Sequence, residues 1–267
     1  VATYLRTTRD EWVIVTVSTA KIKWPRKVCA GPLRRVPPPY YACTPALRLT
    51  HTYARDSSVL LCATSAGEMG GNPTGCWLAE FAEPFYAFTN AGYEITVASP
   101  AGGAIPIDAG SMGGDFFTED AKRFMHDQAA FKEFSHSKKI TADMAMAGFD
   151  CVYIAGGHGC CVDMGGDAHA ALKAVIEAHY AAGKVVAADC HGPYALIDCK
   201  KADGSPLVAG LDVTGFTDSE EKGAGAYEWV GANAKFIEAE FVAQGGNFKA
   251  AADWSSNVVV AGNLLTA

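Results

Sequence analysis

The chain predicts an α/β fold, a mostly parallel sheet with helices on both of its faces. Three observations lead there. From Ser58 onward, short apolar runs alternate with helical repeats, and strand–helix alternation builds a parallel sheet. Two of the runs, Phe149-Asp150-Cys151-Val152-Tyr153-Ile154-Ala155 and Val185-Val186-Ala187-Ala188, pass directly into glycine-containing turns. The 267 residues are 49% hydrophobic and 19% charged, enough apolar material for a full core.

Each element has its own signal. Val59 to Ala63 is a strand of β-branched and apolar residues. Trp77 to Asn90 repeats apolar residues at helical spacing, and Tyr93 to Ala98 is a strand closed by Ser99-Pro100. Residues 101 to 145 form a long insert with a turn region at Gly110 to Gly114 and a helical stretch through Ala121 to Phe134. The strand Cys151 to Ala155, the helix Ala168 to Ala182, the strand Val185 to Ala188 and a short helix after Pro193 come next. Leu211 to Thr214 adds a strand and Ala226 to Ala243 a helix. Val258 to Val260 and Leu264-Leu265 make a hairpin-like pair around Ala261-Gly262-Asn263.

The turn Asp189-Cys190-His191-Gly192-Pro193 carries the strongest chemical signal. A strand–turn–helix sequence places Cys190 where its sulfur meets solvent beside a helix N-terminus, whose free N–H groups favour a thiolate. That is the setting of a nucleophile. Cys62, Cys76, Cys151 and Cys199 stand in periodic apolar surroundings and read as small core residues. The second turn, Gly156-Gly157-His158-Gly159, ends a strand of the same type. In a parallel sheet both turns emerge at the C-terminal strand edge, where open α/β sheets place ligand sites.

These residues also carry a likeness. Ala155-Gly156-Gly157-His158-Gly159, Ala187-Ala188-Asp189-Cys190-His191-Gly192-Pro193 and Val213-Thr214-Gly215-Phe216-Thr217-Asp218-Ser219-Glu220-Glu221 resemble the DJ-1/PfpI superfamily. The likeness is strongest to its Hsp31-like branch, the glutathione-independent glyoxalases also called D-lactate dehydratases. Thr74-Gly75-Cys76-Trp77-Leu78-Ala79-Glu80-Phe81-Ala82-Glu83-Pro84-Phe85 is similar to that family's first helix with its buried glutamate. The resemblance runs from about Ser58 to the C-terminus and implies a flavodoxin-like three-layer sandwich over 58–267. It also implies a further loop and helix after Leu265-Thr266-Ala267, so the chain is expected to be cut short there.

The chemistry is assembled from the parts. Cys190 is the candidate nucleophile. His191 is too close to it in sequence to meet it as on a regular helix, so the turn is expected to splay the pair and leave His191 free to exchange protons with substrate. A histidine in this role needs a third group to set its tautomer. The resemblance implies an acid after Gly-Phe-Thr-Asp, and Glu221 aligns, with Glu220 and Asp218 near enough to be alternatives. It also implies that Glu80 is protonated and donates a hydrogen bond to the cysteine sulfur; its helix face, shared with Trp77, Phe81 and Pro84, raises the pKa of an acid. Gly157 and the backbone N–H of His191 are expected to form an oxyanion hole. His158 is expected to line the mouth and contact substrate. No metal is expected from His158, Cys160, Cys161, Cys190 and His191, because adjacent pairs cannot easily both ligate one ion and no CxxC or HExxH spacing occurs. No cofactor is expected either, since Gly156-Gly157-His158-Gly159 lacks the dinucleotide and phosphate-loop spacings.

Charge and cysteine usage bound the partners. Residues 1 to 57 hold ten Lys/Arg against three Asp/Glu, which leaves the remainder at −14 and argues against nucleic acid. No apolar run approaches the roughly 20 residues of a membrane span. Nine cysteines without regular spacing suit a reducing compartment, and the cytoplasm is expected. The segment 1–57, with Arg34-Arg35-Val36-Pro37-Pro38-Pro39, reads as a poorly ordered basic extension, as sequence foreign to the domain or as an organelle transit peptide. The missing initiator Met points to a fragment. A homodimer is left open.

The expected function is cofactor-free conversion of a small 2-oxoaldehyde such as methylglyoxal to D-lactate, through a Cys190 hemithioacetal. The alternatives are a redox-responsive stress protein or holding chaperone, or another hydrolase, hydratase or deglycase on the same scaffold.

Overall fold

In a computed structural model of the chain, the described residues are 2–6, 12–16, 57–165 and 169–267. Most of the expected N-terminal extension therefore lies outside them; within it, Ala2–Arg6 and Trp12–Thr16 pair as an antiparallel ribbon. The central sheet has seven strands: β1 (Ser58–Cys62), β2 (Glu94–Ser99), β3 (Lys138–Lys139), β4 (Cys151–Ile154), β5 (Val185–Ala188), β6 (Val259–Ala261) and β7 (Leu264–Thr266). Their order is β6-β7-β5-β4-β1-β2-β3, and every neighbouring pair is parallel except β6 with β7.

Strand alternation sorts the core into two layers. Successive side chains point to opposite faces of a strand, so Val59 and Leu61 of β1 join Val97 and Tyr153 on one face, while Leu60 and Cys62 join Val152, Ile154 and Val186 on the other. The first face is covered by α1 (Leu78–Asn90), α2 (Glu119–His126) and α3 (Gln128–Ser135), through a cluster of Phe81, Phe124 and Phe134 with ring centroids 4.8–5.6 Å apart. The second face is covered by α4 (Ala170–Ala181), which buries Leu172, Val175 and Ile176. The helices α5 (Asp218–Gly223), α6 (Tyr227–Asn233) and α7 (Ile237–Ala243) follow; Val230, Ile237 and Phe241 add to the second layer, and Glu221 of α5 reaches His191 in the turn after β5.

Three expectations need correction. The helix expected over Ala121 to Phe134 is two helices, because the Asp127 carboxylate accepts the N–H groups of Ala129 and Ala130 (both 3.1 Å) and starts α3 there. The helix expected over Ala226 to Ala243 also breaks, at the extended residue Ala234; Phe236 then folds back to stack on Tyr227 with ring centroids 4.5 Å apart. Within Leu211 to Thr214, Asp212–Val213 pairs with Asn247–Phe248 outside the central sheet.

The two layers meet through β1, which has a strand on each side. Leu60 is fully buried there, so Leu60→Ala should destabilise the fold by about 2–5 kcal/mol, the usual range for a large-to-small core change. A urea melt checks it: a midpoint unchanged from the parent would mean that the second layer is not packed as described.

Candidate active site

Cys190 is held by the ends of three strands. β5 stops at Ala188, and Cys190 takes a left-handed backbone conformation (φ 54°). Its N–H donates to the Ala267 carbonyl just past β7 (2.8 Å), and its carbonyl accepts the N–H of Phe216 (2.9 Å). The neighbouring turn after β4 comes close because it is glycine. A Cβ on Gly156 would collide with Glu80 Oε2 and lie 2.7 Å from Cys190 Cβ. Gly157 has φ 108°, and a Cβ there would meet the Gly75 carbonyl oxygen and lie 2.6 Å from the Trp77 nitrogen. The glycines thus serve to bring α1, β4 and β5 together at one point.

Cys190 and His191 meet directly, contrary to the splayed arrangement expected from their adjacency. The left-handed residue reverses the chain enough to bring His191 Nδ1 within 3.2 Å of the Cys190 sulfur. On its other side, His191 Nε2 lies 2.8 Å from Glu221 Oε1, and His158 Nε2 lies 3.1 Å from Glu221 Oε2. Burial alone would raise the Glu221 carboxyl, but hydrogen bonds from the two histidines outweigh it and hold it at about 2. The carboxylate is an acceptor only, so Nε2 of His191 carries the proton and Nδ1 presents its lone pair to the thiol. Burial, with His158 beside it, pushes His191 down to about 4 despite the support of Glu221. The imidazole is therefore neutral near pH 7 and able to accept.

Of the three acids left open after Gly-Phe-Thr-Asp, Glu221 is the one that reaches His191. Thr217 caps α5 in a capping box with Glu220, whose carboxylate also accepts the Trp254 N–H (2.9 Å). Glu221 is one residue further round the first turn, and there its side chain points inward and is buried.

Two more carboxyls lie under the sulfur. Glu80 is buried on α1, its Oε2 has no N–H or O–H donor on it, and the group it faces is the Cys190 thiol. Burial and the nearby Asp189 raise its pKa well above the usual range, so it is protonated and can donate to sulfur. Asp189 accepts from Tyr153 Oη (3.0 Å) and from the Gly156 N–H (3.1 Å), yet burial still lifts it to about 8. The expectation of a helix N-terminus favouring a thiolate is revised. Cys190 leads into a five-residue 3-10 turn, Gly192–Leu196, and burial, with the Glu80 and Asp189 carboxyls, raises the thiol's pKa. The Gly157 N–H acts in the opposite direction, on the sulfur itself.

The DJ-1/PfpI family model matches residues 74–267. The chain belongs to the DJ-1/PfpI family. Among curated relatives, it is 33% identical to glyoxalase 3 of Candida albicans over 168 residues, which cover 61% of this chain and 70% of that protein. It is 31% identical to the glutathione-independent glyoxalase HSP31 of Saccharomyces cerevisiae, with the same coverage. Among solved structures, the rapid encystment protein of Francisella tularensis superposes with a TM-score of 0.71 at 30% identity, covering 79% of this chain and 91% of that one. Glyoxalase III from Candida albicans gives 0.69 at 28% identity, covering 79% and 90%.

In this DJ-1/PfpI site the sequence reading missed Asp189 and the aromatic walls. Asp189 had a signal, an acid at the end of an apolar strand directly before Cys190. The walls had none, because Trp77, Phe116, Phe216, Trp229 and Trp254 come from separate segments. They line a pocket of about 590 Å³ over the cysteine, together with His158 and Gly157. His158 does more than line it, since it shares Glu221 with His191 and the two rings lie 3.9 Å apart. His158, His191 and Glu221 also offer three donor atoms within 4.8 Å of one another, the group among the described residues that could hold a metal ion. Cys160 and Cys161 point into the core instead, and the Cys160 thiol donates to the Ala155 carbonyl (3.3 Å).

Access, more than acidity, should select the reactive thiol. Cys190 is partly exposed in the pocket, whereas Cys62, Cys76, Cys151, Cys160, Cys161 and Cys199 are buried. Brief iodoacetamide treatment followed by peptide mass spectrometry should find Cys190 alkylated before those six. Labelling of Cys160 or Cys161 first would contradict the placement.

Proposed function

We propose that this protein is a cofactor-free, glutathione-independent glyoxalase that converts a 2-oxoaldehyde to a 2-hydroxy acid, methylglyoxal giving D-lactate. The observation that carries the reading is the pairing of a thiol 3.2 Å from Nδ1 of a neutral imidazole whose Nε2 is fixed by a carboxylate at 2.8 Å. The relatives named glyoxalase 3 and glutathione-independent glyoxalase support it.

The steps use this chain's own groups. Nδ1 of His191 takes the Cys190 thiol proton, and the sulfur adds to the aldehyde carbon. The new alkoxide takes the proton back, giving a neutral hemithioacetal and a neutral imidazole. That carbon's C–H is now acidic enough for Nδ1 to remove, since the electrons pass into the adjacent ketone as an enediolate. Transfer of the hydroxyl proton from the first carbon's oxygen to the second's, with return of the abstracted proton to the second carbon, leaves a 2-hydroxy thioester, and water cleaves it to the acid and the free thiol. Neutral Glu80 donates to the sulfur, and Glu221 stabilises the imidazolium in each transfer. The backbone N–H groups of Gly157 and His191 are the donors this reading assigns to the developing oxyanion. His158 supports Glu221 from the pocket side.

Cys190→Ser should abolish lactate formation from methylglyoxal without glutathione, because a hydroxyl is far less acidic than a thiol. Retention of more than about a tenth of the activity would exclude covalent catalysis at this residue.

The pH profile is set by two groups. His191 must be neutral, so kcat/KM should rise with pH as it deprotonates near pH 4. Asp189 should be protonated, so activity should fall again above about pH 8, where its ionisation adds negative charge beside the sulfur. Glu221 raises the pKa of His191. Glu221→Gln should therefore move the acid limb to lower pH while reducing the plateau by about 10²- to 10⁴-fold. An acid limb that moved upward would show that Glu221 does not act on His191.

A further inference from the structure

The pocket over Cys190 is much larger than the proposed chemistry needs. At about 590 Å³ it falls in the range of roughly 300–1,000 Å³ that holds drug-sized ligands, whereas methylglyoxal is a three-carbon molecule. Its walls are aromatic. Phe216 lies with its ring centroid 4.3 Å from that of His191 and 5.9 Å from that of Trp254, and Trp229 lies 5.0 Å from His158. Trp77 and Phe116 line the same cavity as an edge-to-face pair with centroids 5.1 Å apart. Phe116 and Trp254 remain 43% and 42% exposed. These are apolar ring faces left uncovered beside a reactive thiol.

The charges narrow the ligand further. Among the described residues no lysine or arginine lines this cavity, so an anionic substrate meets no counter-charge. The acids that line it are already engaged. Asp108 accepts the Gly110 N–H (2.8 Å) and the Thr74 hydroxyl (3.2 Å), and Glu220 accepts the Thr217 and Trp254 N–H groups (3.1 and 2.9 Å). Glu221, behind the histidines, is held by both of them. Glu80 and Asp189 lie beneath the sulfur. A cationic substrate would therefore have to break capping bonds to find a partner.

We infer that the site is built for an uncharged 2-oxoaldehyde bearing an aromatic group, an arylglyoxal, in preference to methylglyoxal; this rests on the glyoxalase reading above. The ring would occupy the cavity between the tryptophans and Phe216, and the aldehyde carbon would reach Cys190. The same steps then convert an arylglyoxal and water to an aryl 2-hydroxy acid, with no oxidant or reductant consumed.

The test uses the purified full chain without glutathione, with Cys190→Ser as the blank for uncatalysed loss of aldehyde. Phenylglyoxal turnover is followed as mandelate and methylglyoxal turnover as lactate, both by chromatography, and 4-carboxyphenylglyoxal serves as the charged analogue. Burying a phenyl group should raise kcat/KM for phenylglyoxal about tenfold or more over methylglyoxal, and the carboxylated analogue should lose most of that gain. Trp229→Ala and Trp254→Ala, checked for folding by circular dichroism, should each lower the phenylglyoxal-to-methylglyoxal ratio at least about threefold. Equal or faster turnover of methylglyoxal, or a ratio unchanged in both variants, overturns this inference and leaves the glyoxalase reading standing. Absence of both mandelate and lactate from the folded parent protein overturns both.

Discussion

The left-handed backbone of Cys190 is the constraint on which the site depends. For a residue with a Cβ this conformation costs roughly 1–2 kcal/mol, and it persists only where the surroundings leave no alternative. Here the Cys190 N–H is tied to Ala267 and its carbonyl to Phe216, while the Asp189 carbonyl accepts the Gly192 N–H at 2.6 Å. The chain is therefore clamped by β7, by the loop before α5 and by its own tight turn. Relaxing φ would break at least one of these bonds and move the sulfur off His191 Nδ1. The strain and the Cys190–His191 contact are one feature.

Around that turn, the protein buries three carboxyls within a small volume and keeps them in different states. Glu221 stays ionised because two imidazoles share it. Glu80 has no such donors and is held neutral by burial. Asp189 is intermediate, since two hydrogen bonds favour its charged form while burial opposes it. Similar acids thus become an acceptor, a protonated group and a group titrating just above neutrality, through environment alone. The raised pKa of the thiol has the same origin in burial, so in the proposed reaction proton transfer to His191 would accompany attack rather than precede it.

Much of this was legible in the sequence. Strand runs ending in glycine-rich turns located β4 and β5, and the strand Val185 to Ala188 has the boundaries expected of it. Cys190, His191, Glu80, Gly157 and Glu221 come together in one pocket region, and Glu220 is taken up by a cap visible as Thr-x-x-Glu. The illegible part depends on distances that no local pattern encodes. The direct contact of Cys190 with His191 requires a positive φ at a cysteine, which residue preferences argue against. At Ala234 the contact of Phe236 with Tyr227 overrides helical periodicity, whereas the break at Asp127 is a local cap, a signal that the continuous apolar spacing of Ala121 to Phe134 obscured. The aromatic walls come from separate loops and helices that only the topology assembles.

The charge arrangement also bears on how the proposed reaction ends. Its substrate is neutral and its product an anion, so hydrolysis of the thioester creates a negative charge beside Glu221 and above Asp189. Among the described residues the pocket has no lysine or arginine to hold that charge. Cationic clamps would favour a carboxylate product and slow its release, and release is the slow step in many enzymes. A pocket whose attraction is apolar binds the ring or methyl end of substrate and product alike, while its polar groups resist only the product. The missing counter-charge that excludes anionic substrates would therefore also make each turnover expel what it forms.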